Sequence, residues 1–130
     1  DRGRPMAVGK RNHQLVICLP GNPVATFVCY RLIVAPLLDY LQCGSVSNPL
    51  RIALPVLFRH TKSENRAEYL RARLVQDKDG KTCIDLYGRK GAGVISSLTG
   101  ADGLVEIPIE NSGVEPGMFL NFLPFMERCL

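Results

Sequence analysis

The chain has 130 residues, 46% hydrophobic and 22% charged, with 16 Lys and Arg against 12 Asp and Glu. This is the composition of a globular protein long enough for a sizeable core, which excludes a disordered or low-complexity chain. The formal net charge of +4 admits an anionic partner, whereas the lack of a secretory start and of an uninterrupted apolar run of bilayer length predicts a cytoplasmic protein without a membrane segment.

Residues 1–10 form a Gly- and Pro-marked lead-in to Leu15–Leu19, five apolar residues that read as a strand covered on both faces, as in a parallel sheet. Pro20 and Gly21 end that strand, Asn22 is a good N-cap, and Pro23 suits the first helical position. The helix start would then offer backbone amides to an anion, with Gly21 allowing close approach. The same tetrapeptide would equally serve as a plain, well-capped βα loop. A helix follows over Pro23–Gln42; apolar residues around most of its circumference predict burial, and Pro36, which cannot donate to the Leu32 carbonyl, predicts a kink. Gly44 stops the helix, and residues 45–49 read as a linker.

Beyond the linker the pattern becomes that of short strands, at Arg51–Phe58, Arg66–Gln76, Thr82–Tyr87, Val94–Leu98, Leu104–Ile109 and Met118–Pro124, separated by turns such as Asp77-Lys78-Asp79-Gly80. This spacing predicts a small β-barrel or sandwich. The predicted fold class is therefore α/β followed by all-β: residues 1–44 an α/β portion, 50–130 a β-barrel domain. Strand parity places Leu70, Ala72 and Leu74 on the core face and Tyr69, Arg71 and Arg73 on the other.

The five cysteines are widely spaced and mostly set in apolar sequence, which fits free thiols in a reducing cytosol, and His13 and His60 share no metal-ligand spacing with them. Arg59, Lys62, Arg66, Arg71 and Arg73 make 59–73 a basic segment. A solvated face and an anion site are both open for it, but a single aromatic, Tyr69, argues against stacking on nucleic acid. Arginine's planar fork suits a phosphate or an oxometalate.

Four motifs in order give the chain a resemblance. Leu19-Pro20-Gly21-Asn22-Pro23-Val24 with its apolar, proline-containing helix, Asn65–Arg71, Gly88–Leu98 and Ala101–Pro108 are similar to motifs of the molybdopterin molybdenumtransferases, the MoeA family, which includes the E domain of gephyrin. The resemblance implies a C-terminal part of such an enzyme: the final βα unit of a molybdopterin-binding-like α/β domain, followed by the C-terminal β-barrel. It implies insertion of molybdate into adenylated molybdopterin with release of AMP and help from Mg²⁺, whose ligands would lie upstream of Asp1. It also implies a homodimer with the site between subunits. Pro20, Gly21, Asn22, Pro23 and Arg71 are the substrate-binding candidates; Arg4, Arg66, Arg73 and Lys90 are further candidates, and no metal ligand is assigned in the chain. The chain departs from the family pattern at Asp1, Ala92 and Glu106. A MoeA-like interaction scaffold and a non-catalytic oxyanion- or pterin-binding protein are the alternatives.

Overall fold

A computed structural model describes residues 6–46, 48–62, 65–88 and 100–125. The chain separates into two compact units, 1–49 and 50–130.

In the first unit, β1 (Ala7–Arg11) and β2 (Gln14–Cys18) form an antiparallel hairpin in which Ala7 faces Cys18 and Arg11 faces Gln14. Asn12 takes the left-handed conformation at the turn, φ 54°, which asparagine tolerates better than most residues. Two expectations are corrected. Residues 7–10 of the lead-in are strand, and Leu15–Leu19 contributes to an antiparallel ribbon with exposed faces, Val8, Leu15 and Val16 among them. An apolar run records what a strand prefers to face; whether a layer covers it depends on segments far along the chain.

The helical stretch runs as α1 (Pro23–Cys29), a π turn (Tyr30–Val34) and α2 (Ala35–Cys43). Pro36 explains the π turn. It has no N–H for the Leu32 carbonyl, and just before it the ladder widens so that the Ala35 N–H donates to Tyr30 O, five residues back. Gly44, at φ 73°, closes α2 by donating to Tyr40 O at 2.8 Å, the expected left-handed stop. The predicted burial is not found: no described residue of the helix is buried, and Tyr30, Ile33, Leu38, Tyr40 and Leu41 are exposed. At 21 residues, Pro23–Cys43 is also long and apolar enough to cross a bilayer, contrary to expectation, although Arg31 and Asp39 lie within it and core helices of water-soluble domains share this length and composition.

The second unit is built on β3 (Ile52–Pro55), β5 (Glu68–Gln76), β6 (Thr82–Leu86), β7 (Gly103–Ile107) and β9 (Phe119–Pro124), ordered β3-β9-β7-β5-β6 with antiparallel neighbours. Two short strands, β4 (His60–Thr61) and β8 (Gly113–Val114), pair separately. The two edges of the large sheet meet where Val56 bridges Ile84 and the Leu57 N–H donates to Ile84 O at 2.9 Å. The sheet thereby curls into a nearly closed barrel. Its core is one cluster, with Val56, Phe58, Ala72, Ile84, Val105 and Phe122 at its centre and Leu70 packed against it.

Five of the predicted strands are present with trimmed ends; Val94–Leu98 lies outside the described residues. The two-residue strands β4 and β8 carry too little pattern to be read from sequence. Parity holds for Leu70 and Ala72 and fails for Leu74, which is 38% exposed. Pairing of β5 with β7 ends at Ala72 opposite Gly103, so Leu74, still paired with Ile84 on β6, has no β7 neighbour to cover it.

Asp102 makes that ending possible. Its amide donates to Ala72 O at 2.9 Å, its carboxylate Oδ2 accepts from the Leu74 N–H at 2.9 Å, and its carbonyl accepts from the Phe125 N–H at 3.1 Å. Gly103 then enters β7 against β9, where a Cβ would meet the Leu123 carbonyl and stand 2.6 Å from Phe122 Cζ. No side chain fits there without moving backbone. Gly103→Ala is therefore expected to destabilise the barrel by about 1–3 kcal/mol, the usual range for overpacking, measured as a lower urea midpoint at unchanged m-value; an unchanged midpoint would show that the β7–β9 approach is slack.

Candidate functional site

The turn at 20–23 is built largely from its own atoms. Asn22 Oδ1 accepts from the Val24 N–H at 2.9 Å and the Ala25 N–H at 3.2 Å, and Asn22 O accepts from the Thr26 N–H at 2.8 Å. Pro23 has no N–H to offer, and Thr26 Oγ1 donates to the carbonyl of buried Pro20. The first-turn amides read from sequence as open to an anion thus have internal acceptors, because a residue that caps well competes with a ligand for the same donors. Gly21 is exposed, and a Cβ there would meet nothing within 4 Å. Packing within the unit does not require glycine at that position.

Arg71 and Arg73 lie on β5, on the face opposite Ala72, as parity predicts. They differ in setting. Arg73 is exposed and faces Asp85 across the β5–β6 pair, so its nearest opposite number is a carboxylate. Arg71 is half-buried; its row continues through Leu104 on β7 to Leu123 on β9, both buried. Its guanidinium lies near Gly88, 3.3 Å from where a Cβ on that residue would stand. Arg66 is exposed in a bend before β5. Arg4 and Lys90 lie outside the described residues. The rest of the basic segment is spoken for: Arg59 pairs with Glu115 at 2.8 Å, and Lys62 Nζ donates to the carbonyls of Pro108 and Ile109 at 2.9 and 3.3 Å.

A polar row that sequence reading missed crosses the same face. Tyr69, Glu106 and Asn121 stand opposite one another on β5, β7 and β9. The Tyr69 hydroxyl donates to Glu106 Oε2 at 2.7 Å, and Arg51 reaches the same carboxylate through Nε at 3.2 Å and Nη2 at 3.4 Å. Burial alone would raise the Glu106 carboxyl, but hydrogen bonds from Tyr69, Arg51 and Asn121 and the charge of Arg51 outweigh it and hold the group below the usual glutamate value. Tyr69 is pushed up to about 12 by burial, by its hydrogen bond to Glu106 and by that carboxylate's charge, with Arg51 opposing. The available signal was Glu106 itself, an acid amid the apolar residues of its motif.

His60 Nε2 lies 2.7 Å from Glu68 Oε2, both side chains largely covered, so this histidine is a partner for the motif's glutamate. Among the described residues no group of three His, Cys, Asp or Glu side chains is placed to hold a metal ion.

The profile of the MoeA C-terminal region (domain IV) matches residues 53–125, and the chain belongs to that family. It is 27% identical over 114 residues to the molybdenum cofactor synthesis protein cinnamon of Drosophila melanogaster, covering 85% of this chain and 18% of that protein. To the molybdopterin molybdenumtransferase of Haemophilus influenzae it is 24% identical over 124 residues, covering 95% and 31%. The chain thus spans about a fifth to a third of the length of these curated relatives. Among solved structures it is similar to a molybdopterin biosynthesis MoeA protein from Pyrococcus horikoshii (TM-score 0.73, 24% identity, 96% of this chain and 30% of that one). A molybdenum cofactor biosynthesis protein from Pyrococcus furiosus is also similar (TM-score 0.62, 25% identity, 95% and 42%).

The Tyr69–Glu106 contact is open to a direct test. A tyrosine whose pKa is raised above its unfolded value near 10 contributes stability that is full below that pH and lost as pH climbs towards 12. The difference in 295 nm absorbance between the native protein and Tyr69→Phe isolates this one phenol. Its midpoint is expected near 12, and Glu106→Gln is expected to move it down; an identical midpoint in the Glu106→Gln protein would rule out the carboxylate as a cause.

Proposed function

We propose that the full protein to which this chain belongs acts in molybdenum cofactor biosynthesis, inserting molybdate into adenylated molybdopterin with release of AMP. The observation that carries this reading is the match of residues 53–125 to the MoeA C-terminal region, together with a curated relative named as a molybdopterin molybdenumtransferase over 95% of this chain. In this proposal residues 1–44 are the last βα unit of a molybdopterin-binding-like α/β domain, 45–49 a linker and 50–130 the barrel domain. The protein works as a cytoplasmic homodimer whose site lies between subunits. Mg²⁺ would be held by residues upstream of Asp1.

Within that reaction the chain's own residues bind and orient. Pro20–Pro23 form a preshaped wall, rigid because two prolines and a self-satisfied cap leave few alternative conformations. Arg71 supplies a planar, permanently charged fork for a phosphate or oxometalate oxygen. Its half-buried position supports this role: in a partly desolvated setting a charge-assisted contact is stronger than at an open surface, where ion pairs contribute little. Arg73, exposed and opposite Asp85, has no such advantage. Arg4, Arg66 and Lys90 remain as further candidates for charge around the substrate.

Two outcomes test the proposal. Arg71→Ala in the full-length protein should lower kcat/KM for adenylated molybdopterin roughly ten- to a hundredfold, the loss of a charge-assisted contact of about 1.5–3 kcal/mol. A thermal melt run alongside separates that effect from unfolding, and unchanged turnover removes Arg71 from the site. The isolated 130-residue chain, given the same substrate with molybdate and Mg²⁺, should release no AMP. AMP above the blank would place the metal-binding groups within it.

A further inference from the structure

We infer that Gly88 is a positioning residue for Arg71: lacking a side chain, it leaves the Arg71 guanidinium the space it occupies and so helps to set the plane of the fork for an oxyanion. This rests on the proposed substrate-binding role of Arg71. The chain leaving β6 passes Arg71 closely, the Tyr87 N–H donating to Arg71 O at 3.1 Å, and the next residue, Gly88, takes the left-handed conformation at φ 74°. A Cβ on Gly88 would stand 3.3 Å from Arg71 Nη1 and 3.6 Å from both Cζ and Nη2. Three atoms of the fork at nearly equal distance from that point mean that a side chain there would meet the face of the fork, not one nitrogen tip.

Glycine is required there on two counts. An L side chain at that φ is strained, and its Cβ would come closer to Nη1 than ordinary van der Waals contact. Gly80 separates the two effects: it has φ 81° but nothing within 4 Å of its Cβ position. A guanidinium confined to one position has less torsional freedom to lose when the ligand arrives, and bidentate capture of an oxyanion depends on the fork's plane being set. Any side chain on Gly88 would tilt that plane while leaving the charge in place.

The test uses the full-length protein with adenylated molybdopterin and molybdate, comparing Gly88→Ala, Gly88→Asn and Gly80→Ala in both the Arg71 and the Arg71→Ala backgrounds. Asparagine tolerates the left-handed region, so Gly88→Asn keeps the crowding with less strain and carries the test if Gly88→Ala does not fold. Gly88→Asn is expected to lower kcat/KM about tenfold with Arg71 present and by less than about twofold without it, the non-additivity of residues acting through one contact. Gly80→Ala should lower the melting temperature and leave kcat/KM unchanged. Equal losses in both backgrounds, no loss from Gly88→Asn, or an equal loss from Gly80→Ala would each overturn the inference. An inactive role for Arg71 itself would show separately, as full turnover by Arg71→Ala. In that event the Arg71 Nε–H resonance still decides the positioning: a shift in Gly88→Asn and none in Gly80→Ala upholds it, and an unmoved resonance ends it.

Discussion

The barrel depends on a close backbone approach at Gly103, where β7 pairs with β5 on one side and β9 on the other. Without a side chain there, β7 can lie against Leu123 and the Phe122 ring, and the preceding Asp102 ties off β5 through its amide, carboxylate and carbonyl. The order of strands on the outer face follows from this corner. It sets Tyr69 opposite Glu106 and Glu106 opposite Asn121, and it puts Arg71 in line with two buried leucines. A one-residue slip would exchange that face with the core.

The polar residues of the outer face fall into two groups. Tyr69, Glu106, Arg51 and Asn121 satisfy one another across adjacent strands. The partly buried Tyr69–Glu106 bond to a charged acceptor belongs to the class worth about 1.5–3 kcal/mol, while the more exposed Arg51–Glu106 pair adds at most about 1 kcal/mol. That row is closed upon itself. Arg71 lies outside it, with its guanidinium close to Gly88.

In the first unit the same economy works against a simple anion site. Asn22 caps so completely that the helix-start amides are occupied from within. What the turn offers is shape: buried Pro20, an open Gly21 and a rigid entry into the helix.

The local rules fixed several things without the tertiary structure: the cap at Asn22, the helix stop at Gly44, the disturbance before Pro36, the core parity of Leu70 and Ala72, and the succession of short strands. Each depends on residues within a few positions of one another, where propensity and hydrogen-bond geometry decide. The motifs likewise carried the family, since its glycines and prolines mark backbone conformations that few other residues adopt. Tertiary structure decided the rest. The exposure of Leu74, the hairpin partner of β2, the uncovered helix face, the partners of Glu106 and His60, and the nearness of Arg71 to Gly88 all join positions whose meeting depends on how strands are ordered and where pairing stops. No periodicity along the chain records that order, because the groups that satisfy a side chain across a sheet are chosen by register and closure.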